Sequence, residues 1–341
     1  MTAVRGARRL LAAPAGRRAL AGLRVAAYLL VAGFLGYQLW RVRHGLGASL
    51  RLVGWGNALL AAALAAVGGV PGFIGWRMLL AGLGTRLPWP VAVRVFFLAG
   101  LTRYLPGGVW PAVAHAAQAR PLGEPPARLA GAFVASQGLA VVAGLAVGLV
   151  ALPWLVAADA LWWALLPALA AALVPAALPR LLERLLGVAQ RVLRRGDVPP
   201  VLPGRRVLLT VTGLMAAGWL ISGLHVTVLA VALGAPLSGA LTVGVGGFAL
   251  STVAGVLTLV MPSGLGPREA VLGLTVATLL TGSGLVTLVA LSRVLITVAD
   301  LASTAAVLGW LARTGRRGHR PTPPAGDQHT RLTRQQGASP S

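Results

Sequence analysis

The feature that most constrains this chain is a series of uninterrupted apolar runs, each close to the thickness of a bilayer, separated by short blocks of arginine. A helix needs about 20 apolar residues to cross the hydrocarbon core. Runs of that order cover Leu23–Trp40, Gly56–Met78, Leu129–Leu152, Leu161–Leu178, Val207–Leu233, Ala240–Met261 and Leu285–Ala312. In lipid, only helices and closed barrels satisfy every backbone polar group. These runs are continuous rather than alternating, so helices are expected and a barrel is not. Only 11% of residues are charged, against about a quarter in an ordinary soluble domain. The expectation is an all-α, polytopic integral membrane bundle over 23–312, with no separate soluble catalytic domain.

The basic residues set an orientation. All 30 are arginine, and the formal charge is +23. Such a charge invites a nucleic-acid reading, but the arginines stand at the ends of apolar spans, where topology and anionic head groups account for them. No nucleic-acid partner is expected. Three blocks dominate: the basic N-terminus 1–22, the middle loop from Arg180 to Arg206, and the tail 313–341. The positive-inside rule places all three, and both termini, in the cytoplasm of a cell inner (plasma) membrane protein. Arg41, Arg43 and Arg51 run against that assignment and are outvoted. The connections 151–160 and 234–239 carry no basic residue, as outside loops should. Arg180–Arg195 alternates leucine pairs with arginine at helical spacing, which fits an amphipathic helix on the inner leaflet; a plain basic linker fits equally well. The tail, rich in Pro, Gly, Gln, Ser and Thr, is expected to be disordered.

Two places break the pattern of a simple membrane helix. One is Arg103-Tyr104-Leu105-Pro106-Gly107-Gly108-Val109-Trp110, inside a broken region Val91–Gln118. The other is Met261-Pro262-Ser263-Gly264-Leu265-Gly266-Pro267-Arg268-Glu269, followed by a short apolar piece, Ala270–Leu280. Proline removes a donor and glycine loosens the backbone, so together they end a helix. At membrane depth, unwound backbone survives only where protein or a water-filled cavity covers it. Matching interruptions in two halves of a chain point to a transporter-type site, and helix N-termini opening from such breaks favour anionic groups. Two re-entrant segments in pseudo-repeated halves are therefore expected, although either motif alone could be an ordinary Pro/Gly loop.

At these motifs the chain resembles the membrane-embedded, flippase-like region of bacterial lysylphosphatidylglycerol synthases and its stand-alone relatives. The resemblance rests on RYLPGGVW, on the small-residue helix after it, and on MPSGLGPREAVL with Arg293 further on; it spans most of 23–312. It implies a lipid-translocating membrane part without the soluble aminoacyl-transferase part. It also implies a substrate site drawn from Arg103, Tyr104, Pro106, Gly107, Trp110, Pro262, Gly264, Gly266, Arg268, Glu269 and Arg293. Many relatives carry a carboxylate in the helix after the first motif; here Gln137 is the only polar residue near that place.

The remaining chemistry is sparse. Of seven acidic residues, Glu269 and Asp300 adjoin or lie in apolar segments, where a charge costs about 2.5–3.5 kcal/mol and tends to be paired or functional. Both are possible proton sites, though an acid in a first helical turn also suits the dipole alone. Arg293 and Asp300 share a helix face two turns apart, and Arg293 should face the bundle interior. Arg94 and Arg103 could simply snorkel to an interface. His115 and His225 are isolated and no metal-ligand spacing exists, so neither a metal nor a cofactor is expected. With no cysteine, disulfides and thiolate chemistry are excluded. Trp76, Trp89, Trp110, Trp154, Trp162 and Trp163 fall near span ends as belt anchors. Without a P-loop, ATP does not drive the protein directly. The leading expectation is a translocase for membrane lipids with anionic head groups, phospholipid or polyprenyl-linked, and not an enzyme. The alternative is an accessory scaffold for a partner membrane enzyme.

Overall fold

The computed structural model describes residues 47–105, 107–164, 203–258 and 261–318, and the single position 33; within these it is helical with no strand. The expected spans Leu23–Trp40 and most of Leu161–Leu178, the amphipathic segment 180–195, Pro106 and the tail beyond Gly318 lie outside the described residues. The helices are α1 (Trp55–Gly82), α2 (Trp89–Gly100), α3 (Trp110–Ala119), α4 (Pro126–Gly148), α5 (Leu152–Ala158), α6 (Arg205–Ala232), α7 (Leu237–Leu257), α8 (Pro267–Val276) and α9 (Gly282–Gly318). Five stretches are long and apolar enough to cross a membrane: Trp55–Gly82, Pro126–Ala158, Arg205–Ala232, Leu237–Leu257 and Gly282–Thr314.

Proline starts most of the shorter helices. It occupies one of the first two positions of α2, α3, α4, α5 and α8, where its missing N–H has no intrahelical partner to lose. Two boundaries differ from expectation. The connection 151–160, read as a loop, is mostly helical, because Pro153 opens α5 only one residue after the 3-10 turn Leu149–Ala151. The tail, read as disordered from 313, is helical through Gly318 as the end of α9.

The central pair is α1 against α6. A Cβ at Gly68 would fall 2.0 Å from Ser222 Oγ, and one at Gly75 would fall 2.8 Å from the Met215 methyl. Small residues thus set the approach of the two backbones, as is usual where lipid removes the hydrophobic drive between helices. The helix α7 joins by the same device, with Gly244 lying on Thr227 of α6 and Gly247 on Thr275 of α8.

Two apolar clusters mark the two ends of the bundle. One joins Leu83, Leu87, Ala119, Leu129, Val207 and Leu208; the other joins Leu50, Val53, Trp154, Leu233, Ala235, Leu280 and Leu285. The turns between α1 and α2 and between α3 and α4 thus sit at one end, with the start of α6. The turns α6–α7 and α8–α9 sit at the other. Trp76, expected as an interface anchor, is instead fully buried in the first cluster, packed on Phe73, Phe96 and His115.

Candidate functional site

The first break follows directly from its residues. After Gly100 the chain tightens into a 3-10 turn over Leu101–Tyr104 and becomes extended at Leu105. Gly107 has φ +93°, a conformation suited to glycine, and its open α-carbon lies under the Trp110 ring: a Cβ there would be 3.5 Å from the indole Nε1. The chain then re-enters helix at Trp110, with Pro111 in the first turn.

The second break is sharper. Helix α7 ends at Leu257, and the 3-10 turn Pro262–Gly264 contains Ser263 at φ 50°, a left-handed conformation that a non-glycine residue rarely holds. Gly264 (φ +68°) and Gly266 (φ +94°) complete the turn. Gly264 presses on Gly255 of α7, so that a Cβ on Gly264 would lie 2.4 Å from the Gly255 α-carbon. Pro267 then starts α8, and Glu269 Oε2 accepts the Gly266 N–H at 2.7 Å. Glycine has no side chain to return that bond, so only this half of a capping box exists.

These two breaks, more than 150 residues apart in sequence, meet: the turn Leu101–Tyr104 packs against the turn Pro262–Gly264. Helix α9 supplies the polar groups that receive them. Asp300 Oδ2 accepts the Tyr104 O–H at 2.8 Å and lies 3.4 Å from Arg103 Nη1, while Arg103 Nε donates to the Gly100 carbonyl. About two turns away on the same helix, Arg293 Nη1 donates to the Ser263 carbonyl at 3.0 Å and stands 3.3 Å from Glu269 Oε1. Arg293 therefore does face inward. Asp300 takes its partner from the first motif rather than from Arg293.

Arg268 is the exception. It is 8% exposed and its guanidinium lies 5.3 Å from the centre of the Phe248 ring of α7. Among the described residues it makes neither an ion pair within 4 Å nor a hydrogen bond, although it interacts electrostatically with Arg293, Glu269, Tyr104 and Asp300. Two atoms of the cluster, Arg293 Nη2 and Glu269 Oε1, are fully buried with no hydrogen-bond partner. Phe248 also abuts the His225 ring. That imidazole contacts the Ser222 carbonyl through Nδ1 and Ser292 Oγ at 2.8 Å through Nε2, so it ties α6 to α9. His115 bonds instead within its own helix, to the Pro111 carbonyl, and stacks on Phe133.

The structure thus brings together Arg103, Tyr104, Gly264, Gly266, Arg268, Glu269, Arg293 and Asp300. Gly107 and Trp110 flank this cluster at the first break; Trp110 is 39% exposed. Pro262 shares the second turn through its backbone. Gln137 is half-buried on α4. Three participants escaped the sequence reading. Ser263 acts through its carbonyl, which any residue could supply. Gly255 matters only because Gly264 meets it. Phe248 reads as one more apolar residue of α7. Among the described residues no three His, Asp or Glu side chains converge as a metal site. Comparison with protein-family models and with curated proteins returns no match. The class that fold and site define is therefore a helical protein with five potential membrane spans and a charged cluster between two broken segments.

Proposed function

We propose that this protein is a membrane lipid translocase whose site is the charged cluster between the two breaks, and that the breaks are re-entrant. The observation that carries the reading is the meeting of the two motifs around Arg103, Arg268 and Arg293. Three guanidiniums gathered with only two carboxylates among apolar helices leave a positive charge that a resident anion would offset, and arginine suits phosphate geometry. Depth supports it as well. Arg293 lies eleven residues along α9 from Gly282, about 16 Å at the helical rise, near the middle of a core about 30 Å thick.

Re-entrance is favoured by lengths and ends. Helices α2 and α3 have 12 and 10 residues, about 18 and 15 Å, too short to cross. Their outer ends are clipped together by the Thr85 O–H on Glu124 Oε2 at 2.7 Å. The second break differs in its flanking helices: it follows the 21-residue α7 and leads into the 10-residue α8. The end carrying Arg86, Arg120, Arg128, Arg205 and Arg206 is the cytoplasmic one on this reading.

The test is translocation by the purified protein in proteoliposomes, followed with a fluorescent phosphatidylglycerol. Wild-type vesicles should equilibrate the probe between leaflets faster than protein-free vesicles, and Arg268→Ala at equal reconstitution should remove at least about tenfold of that rate, as loss of a charge-assisted contact predicts. Equal rates with and without protein would end the translocase reading.

A further inference from the structure

We infer that the site is matched to a group carrying one negative charge, a lipid phosphodiester, and that Arg268 is the residue that selects it against diphosphates. The inference rests on the translocase reading for its location and adds the charge class of the ligand. Among the described residues the cluster holds three guanidiniums, Arg103, Arg268 and Arg293, and two carboxylates, Glu269 and Asp300. Arg103 is paired with Asp300 and Arg293 with Glu269. One cation, Arg268, is left over among the described residues, buried to 8% exposure, with its guanidinium 5.3 Å from the centre of the Phe248 ring. Tyr104 donates a hydrogen bond to Asp300 and, keeping its proton, adds no charge. His225, whose ring also packs on Phe248, has both ring nitrogens engaged by a carbonyl and a hydroxyl, a pattern that a neutral imidazole satisfies.

An unbalanced charge is expensive in a low-dielectric interior, and paired charges are far less so. A phosphodiester brings the cluster to neutrality. A diphosphate, with at least two negative charges, overshoots and leaves the same imbalance with the opposite sign. The unpartnered Arg293 Nη2 offers a second donor to the same phosphate without breaking the Glu269 pair. The first turn of α8 adds little to this selection, since Glu269 already occupies its N-terminus.

The experiment is equilibrium binding to the full chain in nanodiscs of uncharged lipid, using fluorescent probes with matched labels. The probes are phosphatidylglycerol, a polyprenyl diphosphate and uncharged diacylglycerol, and proteoliposome translocation is measured in parallel. Wild type should prefer phosphatidylglycerol over the diphosphate by about a hundredfold, the order commanded by one uncompensated charge in a membrane interior. Diacylglycerol should bind no better than background. Arg268→Gln leaves the cluster neutral without a ligand, so it should lose the advantage of phosphatidylglycerol over diacylglycerol and shift selection toward the uncharged probe. Glu269→Gln keeps an acceptor for the Gly266 N–H and raises the excess charge to two, so it should shift the preference toward the diphosphate. Opposite shifts from two variants do not come from misfolding. Equal or tighter binding of the diphosphate by wild type, equal binding of diacylglycerol, or no binding of any probe overturns the inference. Translocation of the diphosphate in those circumstances would leave the translocase reading standing, whereas selective binding without translocation would overturn that reading alone.

Discussion

Gly264 and Gly266 stand two residues apart, both with positive φ, yet they answer to different forces. At Gly266 nothing lies within 4 Å of an added Cβ, so Gly266→Ala meets only backbone strain, about 1–3 kcal/mol. At Gly264 the same methyl would enter the backbone of Gly255, and α7 or the turn must move. Gly264→Ala should therefore cost about 3 kcal/mol or more, and its thermal midpoint in detergent should fall well below that of Gly266→Ala. Equal midpoints would mean that the turn does not rest on α7. Tyr104 offers a second measurement. Its O–H is a donor to a carboxylate from a side chain only 2% exposed. Tyr104→Phe should cost about 1.5–3 kcal/mol while leaving the Arg103–Asp300 contact in place. The charged residues of the cluster were legible in the sequence because charge within an apolar run stands out. Which partner each would take was not: Asp300 could have reached any helix, and its pairing with Arg103 depends on a contact 197 residues distant.

At the scale of elements, the long helices were readable because apolar length and flanking arginine are local properties; α6 begins at Arg205 and ends at Ala232, against Val207–Leu233 from the sequence. The breaks were readable too, since Pro and Gly act on the backbone where they stand. Helix α5 was missed because the absence of basic residues over 151–160 reports on sidedness and says nothing about backbone form. Trp76 was misplaced for a similar reason: proximity to a span end does not reveal which way a ring faces, and the neighbouring Phe96 and His115 draw it inward. The hairpin α2–α3 depends on a clip that no local signal encodes, the Thr85–Glu124 hydrogen bond, with Arg128 at 3.7 Å from the same carboxylate oxygen. Thr85 is almost fully buried, and valine replaces it with little change of shape. Thr85→Val should speed amide hydrogen exchange in 83–88 and 119–126 by roughly tenfold or more, from a loss of about 1.5 kcal/mol. Exchange within α6 and α7 should not change. Unchanged protection of these segments in Thr85→Val relative to wild type would show that the two turns are held by the apolar cluster alone.

The whole molecule has a polarity that emerges only when its ends are compared. At one end Arg86, Arg120, Arg128, Arg205 and Arg206 gather around the Leu83–Leu129–Val207 cluster. At the other, around Val53, Leu233 and Leu280, the described charges are Arg51 and Asp159. Helix α9 reinforces the difference. It starts at the second end and, at 37 residues, extends about 55 Å, longer than the hydrocarbon is thick. Its last turns, with exposed Arg313, therefore project past the basic end. The anomalous Arg51 belongs to the sparse end, where one arginine is outweighed. Because the chain contains no cysteine, single cysteines report sidedness without background. Ser238→Cys, exposed in the first turn of α7, and Arg206→Cys, exposed at the start of α6, lie at opposite ends. In intact cells a membrane-impermeant maleimide should label Ser238→Cys fully and Arg206→Cys only after permeabilisation, as the positive-inside rule requires. The reverse pattern would place the basic end outside and take the arginine clusters away from the anionic inner leaflet. Labelling of both in intact cells would mean that α6 does not cross, and the five-span arrangement would fall with it.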